Sequence, residues 1–213
     1  MNALKFFWNF LRHPTATGAV APSSDSLARQ ITHAAQLAGA KIIVEFGTGT
    51  GVFSEKILEQ MPPEARFLAL ELNPEFVEAT RRRCPRAEVV LDSAVNAKKH
   101  LERIGCATCD RIISGLPWAS FPEELQDALL STIQDILSAD GLFLTFAYVQ
   151  GLWLPAGRRF RRKLNSRFHQ VATSPIVWMN LPPALVYAAK QPSSPHTPEH
   201  ANHSTTRTQF SPP

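Results

Sequence analysis

The sequence predicts an α/β fold: a seven-stranded, mostly parallel sheet with helices on both faces and an antiparallel edge. Three observations predict it. Short runs rich in β-branched and aromatic residues alternate with helix-periodic segments from Lys41 to Tyr148. The first run ends in the bare turn of "VEFGTGTG", Val44 to Gly51, at the strand-to-helix junction where open sheets bind ligands. Two closing apolar runs flank a Leu181-Pro182-Pro183 corner, which suits an antiparallel pair.

Taken in order, Met1 to His13 ("MNALKFFWNFLRH") reads as an amphipathic helix. Wound at about 100° per residue, its Asn2, Lys5, Asn9, Arg12 and His13 fall on one narrow arc, and Phe6, Phe7, Trp8 and Phe10 fill the rest. Such a helix either docks on the protein's own core or lies in a membrane interface. After a linker, Ser23 and Ser24 are good N-caps for a periodic segment reaching about Gly39. Strands are expected at 41–46, 66–72, 87–91, 110–114 and 142–148. Helices are expected at 52–61, from the Asn73-Pro74 cap to Arg83, at 93–104 and at 122–137. Beyond Gly151 come a basic patch, Arg158 to Lys163 around Phe160, and strands near 168–179 and 184–190. Residues 192–213, rich in Pro, Ser, Thr and His, read as a disordered tail, leaving 14–191 as one domain.

The chain has 213 residues, 44% of them hydrophobic, enough to bury one core. Its net charge of +4 favours anionic partners, phospholipid or nucleic acid. No window has the roughly 18 uninterrupted apolar residues of a membrane span, so any membrane contact is expected to be peripheral. The three cysteines form no even framework, which suits a reduced cytosolic chain; Cys106 and Cys109 read as free thiols despite their CxxC spacing. No metal site is expected, the tail histidines being solvated.

The glycine spacing is Gly47-x-Gly49-x-Gly51 with Glu45 ahead of it. A dinucleotide turn would want G-x-G-x-x-G, and a phosphate loop a lysine after its last glycine. The E-x-G-x-G-x-G form resembles motif I of the class I S-adenosylmethionine-dependent methyltransferases, whose fold is Rossmann-like. That resemblance implies a cofactor site built from Glu45, Gly47, Thr48, Gly49, Gly51, Glu71, Leu72, Asp92, Ser93 and Ser114. Glu71, ending the second strand, would accept from the ribose hydroxyls, and Asp92, ending the third, would face the adenine amino group. Glu45 is expected to hold the turn, or the cofactor's amino group through water, rather than to act catalytically.

Ser114-Gly115-Leu116-Pro117-Trp118 follows the fourth strand, where this class carries its acceptor loop. It resembles the Asn-Leu-Pro-aromatic loop of the ribosomal-RNA adenine dimethyltransferases, with Gly115 at the asparagine position and Trp118 as the stacking aromatic. "TGAVAPSS" (17–24), "SGLPW" and "VWMNLPPALVY" (177–187), with motif I and "LALELNPEF", are similar to the bacterial phospholipid N-methyltransferases. This second resemblance spans about residues 1–190. It implies methylation of phosphatidylethanolamine toward phosphatidylcholine, or of another amino lipid such as an ornithine lipid, at the inner face of the membrane. Ser114, Gly115, Leu116 and Tyr148 would then orient or deprotonate the amine, while residues 1–13 and the Arg158–Lys163 patch meet the anionic surface. RNA adenine methylation stays open as an alternative, as does a binding protein on a methyltransferase fold.

Overall fold

The structure, a computed structural model, describes residues 23–190. The expected helix over residues 1–13 and the expected tail lie outside the described residues. Six α-helices and seven strands follow in the order α1 (Asp25–Ala35), β1 (Ile42–Phe46), α2 (Val52–Gln60), β2 (Arg66–Glu71), α3 (Pro74–Arg83), β3 (Glu88–Leu91), α4 (Ala97–Arg103), β4 (Cys109–Ser114), α5 (Glu123–Ile136), β5 (Leu137–Tyr148), α6 (Pro155–Arg167), β6 (Gln170–Thr173) and β7 (Ala184–Lys190).

One sheet contains all seven strands in the order β3-β2-β1-β4-β5-β7-β6. The first five run parallel, and β7 inserts antiparallel between β5 and the edge strand β6. Alternation within each strand builds two cores, because successive side chains point to opposite faces. Ile43, Ala69, Ile113 and Leu144 join α1 and α2 on one face. Val44, Leu68, Ile112 and Phe143 meet α4, α5 and α6 on the other. Burial on both faces explains why the central strands read as continuous apolar runs.

Local chemistry sets the element ends. The Ser24 side chain accepts from Leu27 N at 3.2 Å and caps α1, which closes on Gln36 in the left-handed conformation. Asn73 caps α3 with Pro74 in its first turn, as expected. Helix α5 runs straight into β5 at Leu137. Between the pairs Cys109–Leu137 and Arg111–Leu142 the register shifts, and a Cβ on Gly141 would lie 2.6 Å from Leu137 Cδ1.

Two features differ from expectation. The basic patch belongs to a full helix, α6, whose buried side chains are Phe160 and Leu164, an i, i+4 pair packed against the core. The sixth strand is short, because the chain leaves the sheet after Thr173 and returns through a loop with one bridge, Val177 to Ala184, and a cis Leu181-Pro182 peptide. Asn180 organises that loop. Its buried side chain donates to Pro182 O at 2.7 Å and accepts from Ser24 N at 2.9 Å. Two stretches noted in the sequence, the Ser23-Ser24 cap and the Asn-Leu-Pro-Pro corner, thus meet in one contact.

Candidate active site

The carboxyl ends of β1, β2, β3 and β4 converge on one edge of the sheet, flanking the point where the chain order reverses, between β1 and β4. After β1 the turn takes left-handed φ values at all three glycines: 75° at Gly47, 53° at Gly49 and 81° at Gly51. Their surroundings differ. A Cβ on Gly47 would lie 2.6 Å from Leu116 Cδ2, and one on Gly51 would press on Thr80 at 3.2 Å, whereas one on Gly49 would meet nothing within 4 Å. Gly47 and Gly51 are bare so that protein can pack against them. Gly49 faces open space.

Glu71 holds this turn from below. Its Oε2 accepts from Gly49 N at 3.0 Å, and its Oε1 accepts from Leu72 N at 2.8 Å and Asn73 N at 2.9 Å. Burial pushes its pKa up against those donors. The carboxylate expected to bind ribose thus first fixes the turn, with a lone pair on Oε2 still to offer. Thr80 on α3, which no motif marks, braces the turn from the side: its hydroxyl lies within hydrogen-bonding distance of Thr48 Oγ1 at 2.9 Å and Gly49 O at 3.1 Å.

Glu45 lies fully buried beneath the turn. Ser54 donates to its Oε2 at 2.5 Å, while Oε1 is buried with no hydrogen-bond partner. Burial pushes its pKa up to about 8, opposed by the Ser54 bond and reinforced by the nearby charge of Glu71. An orphaned carboxyl oxygen under a bare turn is a site that a cation would complete.

Asp92 is more engaged than expected. Its Oδ1 accepts from Ser93 N at 2.7 Å and Asn96 Nδ2 at 2.8 Å, and its Oδ2 sits 2.7 Å from Nε2 of His100. Burial raises its pKa, but the bonds from His100, Asn96 and Ser93 hold it below the ordinary carboxylate value. Only Oδ2 retains a lone pair for an adenine amine. His100, one turn into α4 and buried, had no signal in the sequence beyond lying on the inner face of its helix.

The acceptor loop packs directly on the glycine turn. Gly115 N donates to Phe46 O at 2.9 Å, and a Cβ on Gly115 would lie 2.5 Å from Gly47 O. An asparagine therefore has no room here. Trp118 is not a stacking platform: it is buried, its ring centroid 5.1 Å from that of Phe160 in a stacked pair, and its Nε1 donates to Ser114 Oγ at 3.0 Å. The loop's sequence resemblance makes Trp118 a stacking aromatic, but α6 covers it in the fold. Ser114 Oγ also accepts from Leu116 N at 3.3 Å, so its hydroxyl anchors the loop. Tyr148 ends β5 half-buried, with Phe146 edge-on at 5.5 Å, and burial raises its phenol pKa further above neutrality.

The basic patch divides. Lys163 and Arg167 reach Asp127 at 3.0 and 2.7 Å, and Arg159 lies 3.4 Å from Glu123. Arg158, Arg161 and Arg162 are exposed and have no acidic partner among the described residues.

A family model described as a methyltransferase domain matches residues 43–141. Over 185 residues the chain is 32% identical to the ornithine lipid N-methyltransferase of Singulisphaera acidiphila, covering 85% of this chain and 92% of that one. Among solved structures it is similar to the O-methyltransferase TomG of Streptomyces achromogenes in complex with S-adenosylmethionine. That match has a TM-score of 0.59 and 19% identity, over 81% of this chain and 82% of that one. A precorrin-8w decarboxylase from Methanobacterium thermoautotrophicum gives a TM-score of 0.61 and 17% identity, over 81% and 93%. These structural likenesses speak for the fold alone. The open space at Gly49 and the orphaned Glu45 oxygen fit S-adenosylmethionine, the cofactor of this class. In sequence, fold and cofactor alike, the chain belongs to the bacterial lipid N-methyltransferase family of S-adenosylmethionine-dependent enzymes.

Proposed function

We propose that the enzyme methylates the primary amine of a membrane lipid headgroup, working peripherally at the inner face of the membrane. Phosphatidylethanolamine is the headgroup the sequence motifs favour. The relative named for ornithine lipids supports a second candidate with the same reacting group. The observation that carries the reading is the direct packing of the acceptor loop on the cofactor turn, Gly115 against Gly47, at a sheet edge beside exposed arginines.

Bound S-adenosylmethionine supplies a methyl group already activated by its sulfonium. The chain's own residues have to hold both reactants in line and exclude water, which is worth about 7–11 kcal/mol at best. Glu71, held in place by Gly49 N–H, sets the ribose side, Asp92 the adenine side, and Glu45 the amino end. On the acceptor side, Ser114 O already accepts from Thr145 Oγ1 and Leu116 O from Trp118 N, whereas no described residue donates to Gly115 O. That carbonyl receives an N–H of the incoming amine and turns the nitrogen lone pair toward the methyl. Tyr148 orients through its hydroxyl but is no base at neutral pH, since its phenol stays protonated. The headgroup proton therefore leaves to water before the methyl is transferred. Residues 1–13 and the free arginines of α6 favour an anionic surface, each nearby cation contributing about 1 kcal/mol.

The RNA reading loses ground on two counts: Gly115 has no room for an asparagine, and Trp118 is in the core. The test is labelled S-adenosylmethionine offered with vesicles of phosphatidylethanolamine, vesicles of ornithine lipid, or ribosomal RNA. Label in either lipid supports the proposal and ranks the headgroups; label in RNA alone overturns it.

A further inference from the structure

The large apolar side chains exposed on the described surface, Leu91 apart, cluster on two loops. Trp178, Met179 and Leu181, on the loop entering β7, are 69%, 78% and 76% exposed. Trp153 and Leu154, between β5 and α6, are 74% and 56% exposed. Scattered single apolar residues would need no explanation, but these are tips of two neighbouring loops. Tyr148 pairs with Ala184, and Val149 N donates to Pro183 O at 2.8 Å, so the loops leave adjacent strand ends. Because β7 runs antiparallel to β5, both loops project from the edge that holds the cofactor turn.

Neither loop is loosely held. Asn180 clamps the second to Pro182 and to the N-terminus of α1, and Ser174 pairs twice with Val186. Leu154 N donates to Gly151 O, and Arg158 N to Leu154 O, tying the first loop to α6. The unpaired Arg158, Arg161 and Arg162 follow within two turns.

We infer that these two loops form a rigid apolar wedge that enters an anionic bilayer and brings the mouth of the active site to the headgroups. The inference rests on the lipid-amine reading and assigns the contact to residues beyond 1–13 and the basic patch. Charge selects the occupant. The neighbouring free cations attract an anionic surface, whereas residues 1–13, the other apolar segment of the chain, carry Lys5 and Arg12 and no acid. Apolar tips with basic neighbours are the pattern of interfacial binding.

The test uses the full chain with Trp8→Phe and Trp153→Phe, leaving Trp178 as reporter and the buried Trp118 as an insensitive background. Vesicles of phosphatidylglycerol with dibrominated phosphatidylcholine should quench Trp178, and W178S/M179S/L181S in the native chain should weaken vesicle binding about tenfold or more. That variant should keep its affinity for S-adenosylmethionine and still methylate monomeric short-chain phosphatidylethanolamine. The wedge is overturned if vesicle-bound protein shows no quenching, if the chain does not bind these vesicles, or if Trp178 is shielded from acrylamide without vesicles, which would mean its own chain covers it. The two readings separate cleanly. Lipid methylated with Trp178 unquenched removes the wedge alone, while Trp178 quenched with no lipid methylated keeps the wedge and removes the lipid-amine reaction.

Discussion

Replacing Glu45 with glutamine should erase most of the pH dependence of cofactor binding. In the folded protein burial pushes the Glu45 carboxyl up to about 8, so near neutrality it is mostly protonated. Pairing with the cofactor's ammonium needs the carboxylate, and removing the proton costs about 1.4 kcal/mol for each pH unit below that value. The penalty is about 3 kcal/mol at pH 6, on the order of a hundredfold in Kd, and falls to about twofold at pH 8. Calorimetric titration of the wild type should therefore give a Kd that tightens about fiftyfold across this range, with a proton released at the acid end. Glu45→Gln should bind more weakly at pH 8 and lack the slope. That proton also sets how stability depends on pH: between the ordinary carboxyl value of 4.5 and about 8 the folded chain binds more protons than the unfolded one, so unliganded stability falls as pH rises through that window. A wild-type Kd constant between pH 6 and 8, or an equal slope in Glu45→Gln, would refute the reasoning.

Two further substitutions test the frame around the site. Gly115→Asn, which restores the residue of the RNA enzymes, should destabilise the protein by about 1–3 kcal/mol or more, because its Cβ meets the Gly47 carbonyl rather than a movable side chain. A melting curve checks this, and a variant that stays as stable and gains adenine methylation would contradict it. Asn180→Ala should cost about 2 kcal/mol by leaving Ser24 N–H and Pro182 C=O without partners. Denaturant unfolding measures it, and an unchanged midpoint would show that the clamp contributes nothing.

Much of the fold was legible because burial on both faces left plain apolar runs at the central strands, and because Ser24, Asn73-Pro74 and the glycine turn mark their boundaries chemically. Helix α6 was not, since five arginines and a lysine surround its two anchors, and only tertiary packing under Trp118 makes Phe160 and Leu164 a face. At the site, Glu45, Glu71 and the three glycines could be read from spacing. Thr80, Ser54, His100 and Asn180 could not, because each acts on a residue 8 to 156 positions away. Trp118 was misplaced for the same reason: an aromatic after Gly-Leu-Pro looks alike in sequence whether it faces a substrate or the core.

The central claim is that the bare turn around Gly49 receives the methyl donor, and Gly49→Val tests it directly. Titrated with S-adenosylmethionine by calorimetry, the wild type should bind one molecule per chain. The variant should show no measurable heat of binding, at a stability loss of only about 1–2 kcal/mol for a left-handed residue whose Cβ meets open space. Equal affinity in the two proteins would contradict the account.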